Sequence, residues 1–152
     1  MINLEFLQKY PLATEVIKDW FHQRMIESFR DPEIAEEFKE FVIEQGMELD
    51  KLAFLIDSNP RMLFDVFDEN HILIEIFRPL NEGSIYPSNY FSYKIGNISP
   101  DIKKTRKEAE HSAIEEAFGI LENLLTPSLV EEIEVIDEKI VTSKEETDET
   151  DN

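Results

Sequence analysis

Apolar residues recur at three- and four-residue spacing through the N-terminal half of the chain, the signature of helices with one buried face. Asn3 is placed to cap a short helix through Lys9, ahead of Pro11. Leu12, Ala13, Val16, Ile17, Trp20, Phe21, Ile26 and Phe29 mark a longer helix. Asp31-Pro32 supplies an N-cap and a first-turn proline for the next. In that helix Ile34, Ala35, Phe38, Phe41 and Val42 form one face, glutamates take the other, and Gly46 is the expected stop. Leu49, Leu52, Ala53 and Ile56 predict a helix over 48–56, and Asn59-Pro60 opens a short one through Phe67.

The pattern changes at residue 71. The β-branched run 71–78 reads as a strand, and 90–96 as a second, with a polar loop holding Gly83 and Pro87 between them. The two are expected to pair as an antiparallel hairpin. A long helix follows over about 104–125, ending before Pro127. Its ribs Ala113, Ala117, Ile120, Leu124 and Ile114, Phe118, Leu121, Leu125 make a wide apolar face, suited to lie across a two-stranded sheet. The fold class is therefore α+β, with one domain over 1–130. Residues 131–152 form an acidic tail expected to be largely disordered, in which Ile133, Val135, Ile136, Ile140 and Val141 are apolar islands.

Charge sharpens this division. The 152 residues carry a formal net charge of −19. Residues 1–70 hold 16 acids against 7 bases, residues 71–130 only 8 against 6, and the tail 10 against 2. An acidic N-terminal half repels nucleic acid and anionic membranes at long range. With no cysteine, disulfide and thiolate chemistry are excluded. No secretory leader pattern and no apolar run of membrane-spanning length is visible, so a cytoplasmic protein without membrane association is expected.

Candidate chemistry is sparse. His22, His71 and His111 fall in three different elements, and none sits in a nucleophile motif. Glu108-Ala109-Glu110-His111 contains one Glu-x-x-His, whereas a carboxylate-bridged metal pair needs two copies and two further glutamates. The acidic run 65–70 has Asn70 where a calcium loop needs glycine and Ile76 where it needs glutamate. Four scattered glycines make no phosphate-cradling loop. No catalytic residue, metal ligand or cofactor is assigned, and the chain is expected not to be an enzyme.

One cluster stands out. Lys103-Lys104-Thr105-Arg106-Lys107 opens the last helix, and Tyr90 and Tyr93 lie on the preceding strand. Basic groups beside aromatic rings can hold single-stranded nucleic acid or another anion. Lys103, Lys104, Arg106, Lys107, Tyr90 and Tyr93 are the candidate anion or nucleic-acid site. Positive charge there opposes the helix dipole, which hints at function over stability. The opposite possibility is mimicry of a nucleic-acid backbone by the stripe Glu33, Glu37, Glu40, Glu44.

Two resemblances bear on these residues. Lys103-Lys104-Thr105-Arg106-Lys107-Glu108-Ala109-Glu110, with Ala113, resembles the last helix of double-stranded-RNA-binding domains. That likeness implies phosphate contacts from Lys103, Lys104 and Lys107. It covers about twenty residues, lacks the family's glycine-rich lead-in and third strand, and has the wrong net charge for RNA. Second, Asn59-Pro60-Arg61, Leu63-Phe64-Asp65-Val66-Phe67-Asp68 and Thr105-Arg106-Lys107-Glu108-Ala109-Glu110 resemble a family of small uncharacterised proteins associated with gut bacteria and their prophage-like elements. It implies an accessory protein of a mobile element and brings no known activity or functional residues. A non-catalytic interaction protein is thus the leading expectation, and a nucleic-acid-related role the alternative.

Overall fold

A computed structural model describes residues 1–99 and 102–127. The expectations for the tail over 131–152 lie outside the described residues. Among the described residues, six α-helices flank one antiparallel strand pair: α1 (Leu4–Lys9), α2 (Pro11–Ser28), α3 (Pro32–Gln45), α4 (Leu49–Ser58), α5 (Phe64–Glu69), β1 (Ile74–Phe77), β2 (Ser92–Ile95) and α6 (Arg106–Leu125). A 3₁₀ turn, Pro60–Leu63, leads into α5. The fold is α+β.

Local chemistry sets the helix ends. Asn3 accepts the Phe6 amide and Asp31 accepts the Glu33 amide, so both side chains cap as their types dictate. Gly46 stops α3 in the left-handed region at φ 68°. Thr105 and Glu108 close a reciprocal capping box at the start of α6. At the corner between α1 and α2, the buried Thr14 hydroxyl donates to the Leu7 carbonyl at 2.9 Å.

α6 is the centre of the molecule. It packs on α2, on both strands, on the 3₁₀ turn and on α5. Ala109, Ala113, Ile114, Ala117, Phe118 and Leu121 are its buried face. The Phe118 ring meets Phe6 edge-on at 5.1 Å and Phe67 edge-on at 5.7 Å, joining three elements distant in sequence. β1 alternates as a half-buried strand should, with Ile74 and Ile76 turned inward, and the cross-strand pair Glu75 and Lys94 is exposed.

The sequence differs from the structure at two places. The strand expected over 71–78 begins only at Ile74. Its lead-in closes α5 instead: His71 takes φ 62°, the His71 amide donates to Asp68 O, and the Ile72 amide donates to Phe67 O. These are the two bonds of a Schellman closure, here with histidine in the position glycine favours. The second difference concerns α3. Its apolar face was expected to be consumed by packing, yet no residue of α3 is buried. Its main neighbour is α2 alone, and one helix cannot cover a stripe as wide as Ile34 to Val42.

Candidate functional site

The basic cluster is built around a short extension of the sheet. Phe91 and Lys103 exchange backbone hydrogen bonds, the Lys103 amide to Phe91 O at 2.7 Å and the Phe91 amide to Lys103 O at 2.9 Å. This fixes the start of α6 beside β2. A cleft of about 250 Å³ opens there between Ile76, Phe77, Arg78, Phe91 and Arg106. The Arg78 guanidinium lies 4.8 Å from the centre of the Phe91 ring. Arg78 was not nominated from the sequence. Its position at the end of a strand gave no sign that the chain would return Arg106 to the same cleft.

The nominated residues divide. Lys104, Arg106, Lys107 and Tyr90 are exposed, and Lys103 is half-buried. Tyr93 is 3% exposed in the core, so its ring is not available to stack on a base. Burial pushes its phenol above the ordinary value of 10.0, with Glu116 and Glu115 adding to the shift. The helix start is also occupied by its own carboxylate. Glu108 Oε2 accepts the amides of Lys104 and Thr105 at 3.1 and 3.2 Å, and Arg106 Nε donates to Glu110 at 2.9 Å. The positive charge that opposes the dipole is thus answered by Glu108 and Glu110, which weakens the hint of function drawn from it.

A second candidate is the surface that α3 leaves uncovered. A groove of about 250 Å³ runs between α2, α3 and the link into α4, lined by His22, Met25, Phe38, Phe41, Val42 and Met47, with Glu48 and Lys51 on its rim. The Phe29 and Phe38 rings, tilted by 49° with centres 5.1 Å apart, meet at the α2–α3 corner. Phe41 is 58% exposed and Ile34, two turns earlier on the same side of the helix, 49%. Desolvation holds the His22 imidazole below 6.5, with Lys18 lowering it further and Asp19 and Glu15 opposing.

A larger cleft of about 410 Å³ lies between the start of β1, the end of β2 and the C-terminal half of α6, with Leu73, Ile120 and Leu124 on its walls. The chain leaves α6 beside it. Among the described residues, no group of three or more histidine, aspartate or glutamate side chains is placed to hold a metal ion. His22 lies in α2, His71 in the closure of α5 and His111 in α6. His111 has a buried Nε2 with no hydrogen-bond partner among the described residues, while Glu108 of the same Glu-x-x-His is engaged in the capping box. No helix among the described residues is long and apolar enough to cross a membrane.

Comparison with protein-family models, curated proteins and solved structures finds no match to this chain, so its reading rests on the geometry of these surfaces.

Proposed function

We propose that the protein is a non-catalytic interaction module that presents the α2–α3–α4 groove to a partner protein. The observation that carries this reading is the open side of α3: Ile34 and Phe41 are exposed and Ala35, Phe38 and Val42 only half-buried, in a helix with no buried residue. A helix that leaves part of its apolar stripe exposed retains it at a cost in solubility, which contact with another protein offsets. The test compares partners captured from native lysate by the wild type, by Phe41→Glu and by the triple charge reversal of Lys103, Lys104 and Lys107. A partner lost only with Phe41→Glu supports the reading; retention of every partner by that variant removes it.

The alternative, anion or nucleic-acid binding at the start of α6, draws support from the meeting of Arg78 with Arg106 across the aromatic cleft. It predicts a salt-sensitive shift of DNA or RNA that the same triple reversal abolishes. If the wild type shifts neither, that reading falls.

A further inference from the structure

We infer that the α3 groove receives an amphipathic helix whose apolar stripe is flanked by lysine or arginine; this rests on the interaction reading above and names the partner's chemistry. The shape of the groove comes first. α3 has 14 residues, a ridge about 21 Å long at 1.5 Å per residue. Ile34 and Phe41 stand two turns apart on its open side, with Phe38 between them toward α2. A ridge of this spacing, walled by α2 and the start of α4, fits side chains at i, i+3 or i+4, and i+7 of a docking helix. Met25 and Met47 in the walls adapt to the shapes of such side chains.

Charge selects among helices of that shape. On a helical wheel, Glu33, Glu37, Glu40 and Glu44 fall on the flank next to the exposed Ile34 and Phe41. None of these four carboxylates has an ion-pair partner among the described residues; Lys39 pairs with Glu36, and Lys51 with Glu48. Residues 31–58 hold nine acids and two lysines. A partner with basic flanks satisfies these carboxylates and is drawn in faster at low salt. A second copy of this chain is disfavoured, because a symmetric dimer through this face sets the same glutamates against each other. Phosphate backbones and anionic lipid are repelled for the same reason.

The experiment uses the full chain and three synthetic helical peptides: one with a leucine stripe and lysine flanks, one with the same stripe and glutamate flanks, and one with the lysine peptide's composition scrambled to destroy the stripe. Binding is read by fluorescence anisotropy and by amide shifts in ¹⁵N-labelled protein. The lysine-flanked helix is expected to bind and to shift amides in 34–48, with affinity falling as salt rises. Glu37→Lys with Glu44→Lys is expected to weaken it by at least about tenfold, the scale of close charge pairs across an interface. Phe41→Glu, at an exposed position that leaves the fold intact by circular dichroism, is expected to abolish binding.

Equal binding of the glutamate-flanked helix overturns the basic-partner inference and leaves the interaction reading standing. Equal binding of the scrambled peptide shows attraction by charge alone and overturns the groove geometry. A dimer of the wild type that Phe41→Glu dissociates makes a second copy the occupant and overturns the inference. If no peptide shifts 34–48, the inference falls, and the lysate comparison with Phe41→Glu decides the interaction reading separately.

Discussion

Glu122 Oε2 accepts the backbone amide of Ala13 at 2.8 Å across 109 residues of sequence. α2 begins with Tyr10 as its N-cap, makes no side-chain capping bond of its own, and has no acidic residue in its first turn. The C-terminal helix supplies what α2 lacks: an acceptor for an unsatisfied N–H and a negative charge at the positive end of the dipole. Replacing Glu122 with alanine is expected to cost about 1 kcal/mol, as for loss of an N-cap. Glu122→Gln should recover part of it by keeping the acceptor. Urea unfolding of the three proteins checks the order.

Phe118 and Phe41 should behave as opposites. Phe118 is fully buried between Phe6 and Phe67, and its truncation to alanine is expected to cost about 3–5 kcal/mol. Phe41→Ala, at the groove, is expected to change stability by no more than about 0.5 kcal/mol. A large loss at Phe41 in chemical denaturation would show that α3 belongs to the core after all.

His71 holds a left-handed conformation in the closure of α5. A side chain there carries a steric cost that glycine avoids. His71→Gly is therefore expected to stabilise the fold, by up to about 1 kcal/mol, where glycine elsewhere in a chain usually destabilises. A rise in the thermal midpoint tests it.

Acidification should weaken the fold through His22. Burial lowers its proton affinity in the folded chain, whereas the unfolded imidazole titrates near 6.5. Between those two values the unfolded chain binds more protons, so stability rises with pH in that window. The contribution is complete above about 6.5 and is lost as the pH falls from there toward the folded value. His22→Gln should flatten the change in urea midpoint between pH 7.5 and 5.5.

Much of the fold was legible because capping residues act locally. Asn3, Asp31 and Gly46 each stop or start a helix with groups a few residues away. The two strands and α6 followed from their patterns. What local pattern does not hold is which apolar faces meet. The stripe of α3 looks the same on paper as that of α4, yet Leu52, Ala53 and Ile56 are buried and nothing on α3 is. That difference lies in where α2 directs the chain. The strand at 71–73 was lost for a similar reason: β-branched residues favour extension, but the end of α5 claimed the amides of His71 and Ile72 first. The basic cluster was visible in sequence; its neighbour Arg78 and the burial of Tyr93 depend on how the hairpin folds against α6.

The closure at His71 also limits what the sheet can recruit. Cut to four residues, β1 is a short ribbon with a charged glutamate, Glu75, near its middle. A strand of the full eight residues, rich in isoleucine, would offer a long flat template for stray chains to add to. With the first three residues held in a turn, this isoleucine-rich segment does not extend into such a template.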